Sequence, residues 1–255
     1  MDSAELKVFL EEKFREFNTP EFIPPDPISI PHRFSRKEDI EIAGLLTAII
    51  SWGRREMIVR SAGQLMERMW NAPYDFLMEA GEEEIDALEG FVYRTFQGRD
   101  CCYIVRGLRK VYREMGGLEA VMALPASAED TMGAIMALRE AVSSVDGFPD
   151  RTFKHLSNPS KGSSAKRLNM YLRWMVRSDN RGVDFGLWKS IRPDQLICPL
   201  DVHTGNVGRK LGLLKRKQND WKAALELTKG LREMDADDPV KYDFSLFGLG
   251  IYEGF

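Results

Sequence analysis

Residues 35–52, SRKEDIEIAGLLTAIISW, carry apolar side chains around almost the whole circumference of a helix. A helix without a polar face must be covered on all sides, so this segment predicts a central helix with others packed around it. Ser35 and Glu38 have the spacing of a capping box, which predicts the helix start. Elsewhere apolar residues recur mostly at helical spacing, with no series of alternating strands and hairpin turns. The sequence therefore predicts an all-α fold.

Further helices follow from the same spacing. We expect them at residues 2–17, 54–71, 99–115, 131–142, 164–178, 204–213, 219–234 and 240–251. Residues 19–34 contain five prolines, which predict an irregular arm packed over the body. Residues 144–164 form a second break, where an acidic part of the chain gives way to a basic part. Residues 1–255 are therefore expected to form one helical unit of two lobes, with the break between the lobes near 144–164.

Charge is distributed unevenly along the chain. From Arg151 to Lys217 there are 15 Lys and Arg against four acids, a balance of +11, so a net charge of -3 leaves -14 on the remainder. A basic segment in an acidic protein indicates a surface for a polyanion such as nucleic acid, although solvated helix faces would give the same count. No apolar run reaches the roughly 18 to 20 residues of a membrane span, and the acidic, amphipathic start MDSAELKVFLEEKF is unlike a secretory signal. We expect a cytoplasmic protein without a membrane partner.

Cysteine and histidine are too few and too scattered for a metal centre. Cys101 and Cys102 are adjacent and Cys198 is distant, which provides neither a disulfide framework nor a four-thiolate site. All three are expected to be buried and reduced. The histidines, at positions 32, 155 and 203, lack the short spacing of a zinc motif. We expect no metal and no cofactor.

Two residues stand in contexts that suit chemistry. In KGSSAKRLNMYLRWMVR, Lys166 falls in the first turn of a helix expected to begin at about Ser164. The positive end of the helix dipole disfavours a second positive charge, which favours the neutral amine that acts as a nucleophile. The same helix end, with Arg167 and Lys161, would favour a phosphate. Lys166 could equally be a solvated first-turn lysine.

The second residue is Asp201, the lone acid in LICPLDVHTGNVGRKLGLLKRK, residues 196–217. A carboxylate near a nucleophilic amine could hold it, assist its deprotonation, or stabilise an oxocarbenium-like transition state. The plainer alternative is that Asp201 is the N-cap of the basic helix that follows.

These two segments resemble the helix-hairpin-helix DNA glycosylases of the endonuclease III superfamily. GSSAKRLNMYL is similar to the G-x-G-x-K hairpin with its lysine, and PLDVHTGNVGRKLGL to the V-D-T-H-x-x-R-V segment with its aspartate. The interval between the lysine and the aspartate is closer to that of the archaeal 8-oxoguanine glycosylase branch. AGLLTAIISWGRRE and YDFSLFGLG resemble an early helix with its following turn and the last core helix. The whole chain also resembles a bacterial family that shares P-L-D-V-H-T-G-N-V-G-R-x-L-G-L and has no assigned substrate.

The resemblance implies a two-lobed, all-α glycosylase fold and roles for particular residues. Lys166 would be the nucleophile and Asp201 the acid. Contacts to DNA would come from the hairpin, from residues beside the catalytic pair and from the turn after the central helix. These residues are Gly162, Ser163 and Ser164 in the hairpin, Arg167 and His203 beside the pair, and Trp52, Arg54 and Arg55 in the turn. Trp174, Trp188 and Phe247 could support a flipped base or simply pack in the core.

Some positions depart from the family pattern. Ser164 stands in place of the second hairpin glycine, Asn206 replaces a usual arginine, and no cysteine follows Cys198, which excludes the iron-sulfur cluster. We expect a monomeric DNA-repair-type glycosylase that excises an oxidised purine-like base from duplex DNA, with or without lyase activity. The alternatives are a non-catalytic nucleic-acid-binding module on the same fold and a helical scaffold for protein partners.

Overall fold

The computed structural model describes residues 2–255, and within that range the protein is all-α. No strand occurs there; the only β-type pairings are two isolated bridges, Tyr93 with Phe96 and Ser163 with Asp220. Twelve α-helices lie in this range, and some of the connections between them contain 3-10 turns. The helices are α1 Ser3–Phe17, α2 Lys37–Ile49, α3 Arg55–Arg68, α4 Pro73–Glu79, α5 Glu82–Asp86, α6 Gly98–Glu114, α7 Leu118–Met122, α8 Met132–Ser143, α9 Lys166–Val176, α10 Val202–Lys210, α11 Trp221–Arg232 and α12 Asp243–Ile251.

The chain divides into two compact units, each assembled from separate segments. We call them the terminal unit, which comprises the chain up to Phe22 together with Pro125–Met132 and Asn158–Phe255, and the internal unit, which comprises Ile23–Leu124 and Gly133–Ser157. The chain changes unit four times, and the last change falls inside the proline- and glycine-containing segment 144–164.

The internal unit is built on α2, as the sequence predicts. Every residue of α2 from Ile40 to Ile49 is buried. The predicted capping box is wrong: α2 begins at Lys37 with Arg36 at its N-cap position and no side-chain cap. The Arg36 guanidinium instead donates to Asp75 Oδ1 (2.8 Å) and lies 4.0 Å from the centre of the Tyr74 ring. The helix thus begins two residues after Ser35, and its N-cap position is one residue after Ser35.

The proline-rich segment before α2 is more regular than the sequence suggests. It contains three 3-10 turns, Pro20–Phe22, Pro27–Ser29 and Pro31–Arg33, each of which begins at a proline. Proline has no N–H to leave unpaired at the first position of a turn, and its fixed φ suits that position. Of these turns, the second and third pack against α2, and Ile28 and Ile30 are fully buried.

Helix α12 is central to the terminal unit. It packs against α1 and α10. Arg173 on α9 and Arg177 just after it are buried in this unit and paired with buried Asp184: Arg173 Nε lies 3.2 Å and Arg177 Nη1 3.1 Å from its two oxygens. Buried charges persist only when such partners satisfy them. Two of the basic residues counted in the segment 151–217 are therefore internal, and the surface charge there is smaller than the sequence count.

None of the helices described in residues 2–255 has the length and apolar character needed to cross a membrane.

Candidate active site

A tight turn in the terminal unit precedes α9 and contacts the start of α11. The side-chain oxygen of Asn158 accepts a hydrogen bond from Lys161 N (3.1 Å). Gly162 follows with φ 92° and ψ 2°, a left-handed conformation that glycine adopts without steric cost. The Gly162 carbonyl accepts a hydrogen bond from Trp221 N (3.1 Å), at the first residue of α11. The residue expected to be the first hairpin glycine thus lies in a left-handed turn held against α11.

The second left-handed residue of this turn is Ala165 (φ 49°), one position later than Ser164, which was matched to the second hairpin glycine. Ser163 Oγ accepts from Ala165 N (3.2 Å), and Ser164 Oγ donates to the Leu200 carbonyl (3.2 Å). Helix α9 then begins at Lys166, two residues later than expected, and no side chain caps it. The hydrogen bond to Leu200 ties this helix start to the residue before Asp201.

Lys166 and Asp201 face each other across the starts of two helices. Lys166 is the first residue of α9, and Asp201 is the N-cap of α10. Asp201 Oδ1 accepts hydrogen bonds from His203 N (2.9 Å) and Thr204 N (3.1 Å), while Asp201 Oδ2 lies 3.7 Å from Lys166 Nζ. The side chains remain 26% and 29% exposed, so an external molecule can reach both. Asp201 is therefore the N-cap of α10, as the plainer alternative expected, and its second oxygen also lies next to the Lys166 amine.

The backbone of Asp201 is held by residues that the sequence analysis did not select. Asn219 Nδ2 donates to the Asp201 carbonyl (3.0 Å), and Arg209 Nη2 donates to Asn219 Oδ1 (2.6 Å). A Cβ at Gly205 would lie 2.8 Å from Asn219 Oδ1 and 2.9 Å from Arg209 Nη1, so a larger residue would displace these two side chains. The GNVGR segment therefore supplies both the glycine and the arginine that fix Asp201. Only the fold reveals that Asn219 completes this arrangement.

A second carboxylate lies in the electrostatic field of the Lys166–Asp201 pair. Asp243, the first residue of α12, is buried and accepts a hydrogen bond from Arg173 Nη1 (2.5 Å). Burial raises the pKa of Asp243 to about 6; the positive charges of Arg173 and Lys166 oppose the rise, and the negative charge of Asp201 adds to it. Cys198 Sγ lies 3.9 Å from Asp243 Oδ1. Asp243 does not stand out in the sequence, because an acidic residue in the first turn of a helix is common.

The other residues expected at this site differ in exposure. His203 is exposed, and its backbone N–H is the group that Asp201 caps. Ser163 and Lys161 are exposed on the turn before α9. Arg167 is half-buried, and desolvation lowers its pKa to about 10. The terminal unit thus brings together the predicted pair, the turn and the exposed histidine.

Trp52, Arg54 and Arg55 belong to the internal unit, in the turn between α2 and α3. Trp52 is half-buried: its ring packs edge-on against Tyr93 (5.5 Å between centroids) and stacks on His155 (6.0 Å). Arg54 is exposed and Arg55 half-buried. A groove of about 530 Å³ lies beside this turn; its lining residues are Arg54, Met57, Arg60, Ser61, Gln64, Val92, Tyr93 and Arg94. The packing of Trp52 favours a structural role for its ring, whereas the exposed Arg54 lines the groove.

The three aromatic residues considered as supports for a flipped base pack within the terminal unit. Trp174 and Trp188 are almost completely buried, and the Trp188 ring lies edge-on to Tyr171 (5.5 Å between centroids). Phe247 is half-buried and packs edge-on against Phe22 (5.9 Å). Trp174 and Trp188 therefore form part of the core, which was the alternative reading of these residues.

All three cysteines are free and buried. Burial raises the pKa of each thiol, to about 11 for Cys102. Over residues 2–255, no group of three or more His, Cys, Asp or Glu side chains is arranged to hold a metal ion.

Comparison with known proteins assigns the chain to a family. Residues 26–252 match the family described as "Protein of unknown function (DUF2400)". The chain belongs to the DUF2400 family. The match to DUF2400 includes the turn before α9, Lys166, Asp201, Asp243 and the Trp52 turn, and it leaves out α1. No curated protein and no solved structure matches the chain.

Proposed function

We propose that this protein is a DNA glycosylase of the helix-hairpin-helix type, which removes an oxidised purine-like base and uses Lys166 as the nucleophile. The observation that carries the proposal is the distance of 3.7 Å between Lys166 Nζ and Asp201 Oδ2 at the starts of α9 and α10. An amine next to a carboxylate, both reachable from outside, is the pair of groups that amine-mediated base excision requires.

Under this proposal, Lys166 and Asp201 act together on the C1′ carbon of the sugar. Asp201 Oδ2 accepts a proton from the Lys166 ammonium, and the freed lone pair attacks C1′. The C1′–N bond forms as the bond from C1′ to the base breaks, and the base leaves with the electron pair and takes up a proton. The resulting secondary ammonium loses a proton, and its lone pair then forms the C=N bond as the C1′–O4′ bond breaks with its electron pair on O4′. O4′ takes up a proton, which leaves a protonated imine between the lysine and the sugar. The negative charge of Asp201 also favours the positive charge that develops on the sugar.

The turn before α9 has features that suit a DNA phosphate. The start of α9 has no side-chain cap, so its N–H groups and the positive end of its dipole are directed at the turn. Lys161 and Ser163 are exposed there. Phosphate contacts at this turn would set the register of the strand relative to Lys166.

Borohydride trapping tests the proposal directly. Duplex oligonucleotides with oxidised purines or abasic sites are incubated with the wild-type protein and sodium borohydride, and a covalent adduct is expected because borohydride reduces the imine. Lys166→Arg retains a cation opposite Asp201 but cannot form the imine, so its adduct should be absent. Lys161→Arg is the matched control and should retain the adduct. An unchanged adduct in Lys166→Arg would show that a different amine reacts.

The variant Asp201→Asn distinguishes the proposed catalytic role of Asp201 from its role as a helix cap. Asparagine is as good an N-cap as aspartate, so this variant should fold normally while losing the charge opposite Lys166. We expect the excision rate to fall by a factor on the order of 10² to 10⁴, which is typical for removal of a general base.

A second candidate function is favoured by the capping bonds of Asp201. Because Asp201 Oδ1 already accepts two backbone N–H groups, the residue also suits a module that binds nucleic acid without catalysis. That candidate predicts duplex binding by the wild-type protein with no excised base and no adduct, and it predicts equal binding by Asp201→Asn. Base excision by the wild-type protein that depends on Asp201 would eliminate it.

A further inference from the structure

A shallow basic groove lies in the terminal unit between α10 and α11. It has a volume of about 570 Å³, and its lining comes from the connecting loop and the first two turns of α11: Lys215, Arg216, Lys217, Gln218, Lys222 and Glu226. We propose that this groove binds the phosphodiester backbone of the nucleic acid on which the Lys166–Asp201 site acts. The identification of the partner as a nucleic acid rests on the proposed function. The charge and geometry of the groove are independent of that proposal.

Three lysines give the groove its positive charge. Lys215, Lys217 and Lys222 are exposed. Within residues 2–255, none of these three lysines forms an ion pair with an acidic side chain. Arg216 contributes little, because Asp220 accepts two hydrogen bonds from its guanidinium (2.7 and 2.5 Å). These lysines can therefore neutralise external negative charge.

The loop that carries two of these lysines is held in place by its backbone. Arg209 on α10 donates to the carbonyls of Arg216 (2.9 Å) and Lys217 (2.8 Å). Lys215 N donates to Glu226 Oε1 (2.7 Å), so the Glu226 carboxylate is engaged in positioning the loop. Because the backbone of this loop is already ordered, it loses less conformational entropy on binding a ligand than a flexible loop would.

The groove is connected to the candidate active site by direct hydrogen bonds. Asn219 follows the lysine loop and donates to the Asp201 carbonyl (3.0 Å), and Trp221 N donates to the Gly162 carbonyl (3.1 Å). Ser163 and Asp220 form an isolated antiparallel bridge beside these contacts. The segment that carries the lysines is therefore a direct neighbour of Asp201 and of the turn before α9.

The character of the groove favours a nucleic-acid backbone over other anions. No apolar side chain lines it, whereas a membrane-binding surface inserts apolar groups among its basic residues. Its lysines project separately from a loop and a helix, and a phosphodiester chain with regularly spaced charges can engage several of them at once.

A salt titration of binding to an undamaged duplex tests this inference. The triple variant Lys215→Gln, Lys217→Gln and Lys222→Gln is compared with the control Lys7→Gln, Lys110→Gln and Lys229→Gln, which changes the net charge equally at lysines that do not line the groove. For three lost phosphate contacts, the slope of log K against log salt should become less steep by about 2.7. The control should retain the wild-type slope. Circular dichroism confirms that both triple variants are folded.

The outcomes separate this inference from the proposed function. Equal slopes for the groove variant and the wild-type protein would overturn the inference, and so would an equal change in the control. Wild-type trapping with an unchanged slope in the groove variant would refute the groove alone. A reduced slope in the groove variant together with absence of trapping and base excision in the wild-type protein would support the groove and refute the glycosylase.

Discussion

Asp243→Asn should remove a pH dependence of stability that originates in the buried part of the terminal unit. Asp243 is 5% exposed. Its carboxyl accepts a hydrogen bond from Arg173 Nη1 and has a pKa raised by burial from 3.8 to about 6. Asparagine has nearly the same shape and keeps an oxygen to accept from Arg173, but it does not titrate. The substitution therefore tests protonation at this position with little change in packing.

The sign and size of the effect follow from proton binding. Between pH 4 and 6 the folded protein holds a proton on Asp243 that the unfolded chain has released, since the unfolded carboxyl titrates near 3.8. The stabilisation is therefore complete below about pH 4 and is lost as the pH rises through 6. The interval between the two pKa values corresponds to ~3 kcal/mol of unfolding free energy.

Urea unfolding at pH 4, 5, 6 and 7 measures this effect. The wild-type protein should lose ~3 kcal/mol relative to Asp243→Asn between pH 4 and 7. Carboxyl groups with lowered pKa values, such as Asp179 and Asp100, act in the opposite direction, but they are present in both proteins and cancel in the difference. Parallel stability curves for the two proteins would refute the reasoning, because they would mean that Asp243 stays ionised throughout this range.

Two further predictions concern backbone fit and buried charge. Gly107→Ala should lower the free energy of unfolding by ~3 kcal/mol, because the new Cβ would lie 2.2 Å from the Val142 carbonyl oxygen. Gly162→Ala should lower it by only about 1 kcal/mol. At Gly162 a φ of 92° strains alanine, but no atom lies within 4 Å of the new Cβ. Equal losses in urea unfolding would contradict the steric explanation. Arg177→Met should cost about 3 to 5 kcal/mol by leaving Asp184 buried without one of its cations, and adding Asp184→Asn should restore part of that loss; a double variant less stable than Arg177→Met would show that the buried charge is not the cause.

The long helices were predictable from sequence because each has enough turns for apolar periodicity to emerge. Helices α4, α5 and α7 have only five to seven residues, too few for a periodic pattern, and the sequence analysis missed them. The 3-10 turns of the segment 19–34 were missed for a different reason: proline was taken as a breaker of regular structure, although at a first position it favours a turn.

The candidate site was predictable only in part. Lys166 and Asp201 were found because a family motif marks them and each stands out from its local sequence. Asp243 and Asn219 carry no such local signal. Asp243 is buried and accepts a hydrogen bond from Arg173, which lies 70 residues earlier in the chain. Asn219 contributes because the fold returns the chain to the Asp201 carbonyl. Such long-range contacts cannot be deduced from the spacing of residues along the chain.

The charge of Asp201, more than its capping, is the informative feature of the site. Serine and asparagine also cap helices well, so capping does not by itself require an acid at this position. An acid is present, and its second oxygen lies 3.7 Å from Lys166 Nζ. A partly exposed ion pair contributes little to stability, about 0 to 1 kcal/mol. If stability were its only role, replacing Asp201 by asparagine would have almost no consequence, so a large loss of excision in a variant of unchanged stability would assign the carboxylate to chemistry.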